Sequence, residues 1–396
     1  MKPTCVRRRL SVLARQTGPV GHDPGDCHVL AGVGTAAASS APRCRVAVWG
    51  NFGGEHRVAE LLRPDCDELG VELHVLSSVC GLVFPQFNPD LVAEAAAKLS
   101  EAQRQAARDE VRRACASCDV WLGWPQGSWE AVEQLLGGWP EQLRWVQTLS
   151  AGADELMAKA PPRVLVTRAE GKFDAAIAEW VLTWVFMHAK KAPLFLEDQR
   201  RRTWRRRFQG LSRVAGSSVL LVGYGSIGLR IARLCAAVGM AVAATRRSAE
   251  AVAEDGVASV HPASELLGLL PAADFVVLCL PLTAQTQGSF GRRELVAMKP
   301  GAALINIARG EIVDWAEIRS ALEAGSLASY YTDVTTPEPL PDGHPDWGVP
   351  NLVVTPHNSW APYPDHSDDA QRFARNLRRY LSGEPLQGLV DRDRGY

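Results

Sequence analysis

No run of the 396-residue sequence reaches the ~18 consecutive apolar residues of a membrane-spanning helix. The most apolar stretch, Ala175 to Met187, is broken by Glu179 and Thr183. An excess of either charge is also missing. The 43 Lys and Arg against 44 Asp and Glu leave a formal net charge of −1, which argues against nucleic-acid binding through overall charge. No second pair follows Cys115 and Cys118 at zinc-ribbon spacing, and their C-x-x-C opens no thioredoxin-like unit, so no metal site is expected. The nine cysteines are scattered and odd in number. A chain this long buries a core without staples, so they read as free thiols of a reducing cytoplasm. There is no apolar segment of a secretory signal and no repeat of solenoid period.

What is present is ordinary for a globular chain, 46% hydrophobic and 22% charged, with length enough for two domains or three. Residues 1–43 stand apart. Arg7, Arg8 and Arg9 lead into Gly, Pro, Ala and Ser, and the first acid is Asp23. The segment reads as an unstructured leader, with an organelle presequence or an upstream-assigned start as alternatives.

From Arg45 short apolar strands alternate with helical stretches. Strands are expected at 45–50, 71–76, 119–123, 143–148 and 163–167, and helices at 55–69, 91–114 and 174–187. A second series begins at Ser217, with strands at 218–222, 241–245, 275–280, 302–307, 330–334 and 352–355. Asp314 is placed to cap a helix that Gly325 stops. Alternating β and α elements predict two successive parallel-sheet units covered by helices.

The second series opens on Val219-Leu-Leu-Val-Gly223-Tyr-Gly225-Ser226-Ile227-Gly228. A G-x-G-x-x-G between an apolar strand and an apolar helix is a dinucleotide-binding signal. Gly223 permits the tight turn, Gly225 a close pyrophosphate, and Gly228 close helix packing. The helix N-terminus offers unpaired N–H groups to phosphate. About 20 residues on, an NAD-specific site carries a carboxylate for the ribose 2′-hydroxyl. Here Thr245, Arg246, Arg247 and Ser248 stand instead. Guanidinium suits a 2′-phosphate, so NADP(H) is expected over NAD(H).

Three later strand ends carry polar residues: Asn306-Ile-Ala308-Arg309, Asp333-Val-Thr335-Thr-Pro-Glu338, and Thr355-Pro-His357-Asn-Ser-Trp360. Arg309 can hold a carboxylate and polarise the adjacent carbonyl. His357 can protonate the carbonyl oxygen, and Glu338 paired with it favours the charged ring.

These motifs resemble the D-isomer-specific 2-hydroxyacid dehydrogenase family, in order and spacing, over about residues 45–396. The resemblance implies Arg309, Glu338 and His357 as catalytic residues. It implies that Ser150, Ala151, Gly152 and Ala153 hold the substrate carboxylate. Trp360, near His357, is a candidate for the substrate pocket, with packing against the hinge as the alternative. The resemblance places Leu280, Pro281, Thr283 and Ala308 beside the cofactor, with Asp333 on the nicotinamide carboxamide. It implies an α/β fold of two parallel-sheet domains: a discontinuous flavodoxin-like substrate domain, 44–170 with 358–396, and a Rossmann domain, 171–357. The expected reaction is hydride transfer between nicotinamide and C2 of a small 2-oxo acid such as glyoxylate or hydroxypyruvate, although a bulkier aliphatic or aromatic 2-oxo acid is equally compatible with the motifs. A homodimer is implied, with no nucleic-acid or membrane partner.

Thr335 stands where the family often has an aromatic residue, and residues 78–90 match it least. Glu338 argues against the formate-oxidising relatives, which carry Gln. A phosphite-type dehydrogenase and a nucleotide-sensing corepressor-like protein remain alternatives. The second draws on six arginines within Arg200–Arg207, although the family often has an indole there, so Trp204 is expected to be packed.

Overall fold

The computed structural model describes residues 43–49, 55–76, 100–124, 129–204, 210–247, 259–361 and 366–396. The leader up to position 42, the 78–90 segment, Arg205–Arg207 and Ser248 lie outside the described residues.

The first sheet is built by β1 (Cys44–Val48), β2 (Val71–Val75), β3 (Val120–Leu122), β4 (Trp145–Gln147) and β5 (Leu165–Thr167). All pairs are parallel, in the order β2-β1-β3-β4-β5, the flavodoxin-like arrangement. β3 and β4 are buried throughout, as strands covered on both faces must be. The helices among them are α1 (Glu55–Leu69), α2 (Glu101–Ser117), α3 (Trp129–Leu136) and α4 (Asp154–Lys159).

The single helix expected over 91–114 does not run through Ser100. That residue is extended, and its hydroxyl accepts from the Gln103 amide while the Gln103 side chain takes the Ser100 N–H. A capping box thus starts α2. One face of the sheet carries an indole cluster, with Trp129 and Trp139 stacked at 4.2 Å and Trp49 edge-on to Trp121 at 5.2 Å.

The chain then runs through α5 (Asp174–Ala189) and α6 (Ala192–Arg200) into β6 (Ser218–Val222) and α7 (Ser226–Ala237). It continues through β7 (Ala241–Arg246), β8 (Ser259–Pro262), α8 (Leu266–Leu269), β9 (Phe275–Leu278) and α9 (Arg292–Ala297). Last come β10 (Ala303–Asn306), α10 (Trp315–Glu323), β11 (Ser329–Thr332) and β12 (Leu352–Val354). The parallel order is β12-β11-β10-β9-β6-β7-β8. The six strands β6 to β11 follow the Rossmann order, with β12 added beside β11. Seven strands stand where six were expected. β8, Ser-Val-His-Pro, is only half-buried along its length and so shows no apolar run.

Ile177, Ala178, Val181 and Val185 of α5 pack on Ile231, Ala232 and Cys235 of α7. Asp314 caps α10 by accepting from the Ala316 and Glu317 amides, and Gly325 follows at φ +71°. Finally α11 (His366–Ser382) returns to the first sheet. Its Phe373 stacks on Trp145 at 5.2 Å, and Leu377 joins the core of Val46 and Leu62. Where the chain leaves and rejoins that sheet, Lys172 Nζ donates to Asp369 Oδ2 at 2.6 Å, both side chains buried.

Candidate active site

In the second sheet β10, β11 and β12 are neighbours, so the loops leaving their carboxyl ends are neighbours too. Those loops carry Arg309, Glu338 and His357. Facing them are the loops after β3 and β4. Between the two sets lies a cavity of about 480 Å³. Its walls are Trp124, Gly152, Ala153 and Asp154 on one side and Leu282, Arg309, Thr335, Glu338 and His357 on the other.

The Asn306 side chain fixes the Arg309 loop, donating to the Arg309 carbonyl and accepting from the Ala308 amide. The guanidinium then donates to both oxygens of Asp154, Nη2 to Oδ1 at 2.7 Å and Nε to Oδ2 at 3.2 Å. This is the fork geometry that suits a carboxylate. Burial opposes the Arg309 charge, but Asp154, with Glu338 and Glu311 behind it, overcomes that and raises its pKa. A Cβ at Gly152 would stand 1.8 Å from Arg309 Nη2, so a glycine there lets the guanidinium approach the loop.

His357 Nδ1 lies 2.6 Å from Glu338 Oε1. Glu338 Oε2 accepts from the Thr335 amide at 3.2 Å. Burial pushes the Glu338 carboxyl up, yet the His357 hydrogen bond and charge, the Thr335 amide and Arg309 outweigh it and hold its pKa below the usual value. An ionised Glu338 accepts a hydrogen bond from Nδ1–H, which leaves Nε2 as the other nitrogen of a ring that lines the cavity. His357 sits at φ +51°, a strained region for a residue with a Cβ. Asp333 holds that turn: its carboxylate accepts from the Thr355 hydroxyl at 2.5 Å and from the Asn358 and Ser359 amides. Buried Asp333 therefore braces the His357 turn, a role its sequence position did not suggest.

The remaining expected residues divide. Gly152 and Ala153 line the cavity. The Ser150 hydroxyl donates to the Gly152 carbonyl at 2.6 Å and is engaged within its own loop, while Ala151 packs on the second sheet's core. Trp360 is not part of this cavity wall. Its ring meets Phe173 edge-on at 6.3 Å and its N–H donates to the His357 carbonyl. The Thr335 hydroxyl donates to the Pro337 carbonyl, within the Glu338 loop. Asp154 and Trp124 join the site without having been singled out in the sequence. Their signal was position alone, at or just after the carboxyl ends of parallel strands.

At the other end of the second sheet, Gly223 adopts φ +103° and a Cβ there would meet the Cys279 carbonyl oxygen at 2.6 Å. A Cβ on Gly228 would meet the Gly223 oxygen at 2.9 Å, whereas one on Gly225 meets nothing within 4 Å. Open space thus lies over Gly225, the N-cap of α7, which has no side-chain cap. The Ser226 and Ile227 amides of its first turn lack helix partners, and the donor set fits a dinucleotide pyrophosphate. Thr245 is buried, while Arg246 and Arg247 are exposed at the end of β7. The loop after β9 is fixed by Thr286, whose hydroxyl donates to the Pro281 carbonyl and accepts from the Thr283 amide.

A family model described as D-isomer specific 2-hydroxyacid dehydrogenase, NAD binding domain, matches residues 182–359. A glyoxylate reductase of Thermococcus gammatolerans is 31% identical over 265 residues, 64% of this chain and 77% of the relative. The chain belongs to this family. A glyoxylate/hydroxypyruvate reductase B of Pectobacterium atrosepticum is also 31% identical, over 63% of this chain and 79% of its own length. A D-isomer specific 2-hydroxyacid dehydrogenase from Xanthobacter autotrophicus Py2, solved with NADPH and MES, has a TM-score of 0.69 at 28% identity. The match covers 89% of this chain and 99% of that one. This dehydrogenase is an NAD(P)-dependent oxidoreductase of 2-hydroxy acids.

Trp204 of this dehydrogenase is 88% exposed, which corrects the expectation of a packed indole: no described element covers it. Among the described residues no helix is long and apolar enough to cross a membrane, and no cluster of His, Cys, Asp and Glu is placed to hold a metal ion.

Proposed function

We propose that this dehydrogenase works as a reductase of small 2-oxo acids, with NADPH preferred. The observation that carries the reading is the meeting of Arg309 and the His357–Glu338 pair in one cavity between the two sheets. Bound nicotinamide supplies the hydride that is added to the substrate's C2. Arg309 holds the substrate carboxylate and polarises the neighbouring carbonyl, with the backbone of 150–153 on the carboxylate's other side. His357 donates its proton to the carbonyl oxygen, and Glu338 orients the ring and balances its charge. Asp154 and Asp333 hold Arg309 and the His357 turn, respectively, in place. At the far end Ser226 and Ile227 receive the pyrophosphate on their amides, and Arg246 and Arg247 receive a 2′-phosphate. The NADPH in the Xanthobacter structure supports that cofactor.

The division into a substrate lobe, 44–170 with 358–396, and a cofactor lobe, 171–357, is supported by the return of α11 to the first sheet. Closure of the lobes would exclude water from the reaction. A homodimer is supported by the exposed apolar side chains Phe186, Leu194, Leu196 and Trp204 around α5 and α6. The described cysteines are free thiols, including Cys115 and Cys118, in keeping with a reducing cytoplasm.

The test is oxidation of NADPH and NADH, side by side, with glyoxylate, hydroxypyruvate, pyruvate, 2-oxoisocaproate and phenylpyruvate. Turnover of a small 2-oxo acid with NADPH preferred is expected. Measurable cofactor binding with no turnover of any of them would overturn the reading.

A further inference from the structure

The last residues of the chain are folded against the cofactor end of the second sheet. Val390 N donates to the Val166 carbonyl at 2.9 Å, extending the edge of the first sheet. Arg392 then anchors the segment, donating to the Ala160, Pro161 and Val164 carbonyls. Asp391 closes a tight turn. Its carboxylate accepts from the Asp393 and Arg394 amides, and its carbonyl accepts from the Gly395 amide at 2.8 Å. The turn delivers Gly395 and Tyr396 to the second sheet. A Cβ on Gly395 would lie 3.4 Å from Thr283 Cγ2. The Tyr396 ring lies under the Arg247 guanidinium, 5.1 Å from ring centroid to guanidinium carbon.

Arg247 follows β7 and Thr283 follows β9, and these strands flank β6 on either side. The closing turn therefore touches both banks of the strand that leads into the phosphate loop. A ring beneath a guanidinium restricts where the group can move. It does not take up the N–H donors as a hydrogen-bonding partner would. A carboxylate partner would consume the donors that a phosphate needs; an aromatic face does not.

We propose that Tyr396 is a positioning residue for recognition of the cofactor's 2′-phosphate, holding the Arg247 guanidinium edge-on to it. The closing segment Asp391–Tyr396, anchored on the first sheet, is thereby part of the cofactor site on the second. The proposal rests on the reading of Arg247 as the 2′-phosphate ligand.

Calorimetric titration of the full chain with adenosine 2′,5′-bisphosphate and with adenosine 5′-monophosphate tests both, without turnover. Tyr396→Ala is expected to weaken the bisphosphate about two- to fivefold and to leave the monophosphate unchanged. Tyr396→Phe keeps the ring and should match the parent. Arg247→Ala should lose the preference for the bisphosphate, and adding Tyr396→Ala to it should change nothing more. If Arg247→Ala loses the preference while Tyr396→Ala keeps it, or weakens both ligands alike, the role of Tyr396 is overturned and that of Arg247 stands. If Arg247→Ala keeps the preference, both fall.

Discussion

The two ends of the second sheet handle positive charge in opposite ways. At the cavity, Arg309 is gripped through two hydrogen bonds by Asp154, and His357 lies 2.6 Å from Glu338. At the end of β7, Arg246 and Arg247 form no ion pair among the described residues, and Arg247 meets an aromatic face instead. A group that must act on a reacting carbonyl needs a fixed direction, and a partnered charge in a half-buried wall has one. A group that must receive a phosphate needs its donors unspent. The difference separates an arginine oriented by a carboxylate from one that meets an aromatic ring.

That contrast can be broken at either end. Arg309→Ala removes the cavity's guanidinium and should lower kcat by about 10²–10³-fold, read in steady-state reduction of the preferred 2-oxo acid. Asp154→Asn keeps the shape but removes the brace. Charge-assisted hydrogen bonds of this kind are worth about 1.5–3 kcal/mol, so kcat/KM should fall about 10- to 100-fold. A lower KM for the 2-oxo acid would instead show that Asp154 competes with the substrate carboxylate. Arg247→Ala should raise the KM for NADPH about tenfold and leave that for NADH unchanged; an equal rise for both would erase the contrast.

The smallest effect on turnover concerns the scaffold beneath both ends. His188 of α5 is buried, with Nδ1 3.2 Å from the Tyr331 hydroxyl, and burial lowers its pKa to about 4. The unfolded ring titrates near ~6.5. Between those values the unfolded chain binds the extra proton. The contribution is full above pH ~6.5 and is lost as pH falls toward 4, in total on the order of 3 kcal/mol. Urea unfolding of His188→Phe should show a shallower loss than the parent over that range, with turnover at pH 7 little changed.

How much of this was legible in the sequence follows from how each part is encoded. Gly223, Gly225 and Gly228 announce the phosphate loop by their spacing after the apolar Val219–Val222, and a Cβ at Gly223 or Gly228 would press on backbone. Arg309, Glu338 and His357 could be read because each follows a strand and those strands turn out to be adjacent. Asp154 was hidden because its partner lies 155 residues away and a local reading makes it a helix N-terminal acid. Asp333 was readable as a site residue but not as the brace of a strained turn, since φ at His357 has no sequence signature. β8 and α11 escaped for opposite reasons. One lacks an apolar run, and the other is a polar helix whose few buried residues only find their core on the far sheet. Trp204 shows the limit of resemblance: the indole is where the family suggests, and no described element of its own chain covers it.

The most direct test of the catalytic end is His357→Ala, with turnover and NADPH binding measured on the same preparation. The account predicts kcat for 2-oxo acid reduction to fall about 10²–10⁴-fold while the dissociation constant for NADPH stays that of the parent. Retained turnover, or loss of NADPH binding with the fold intact, would contradict it.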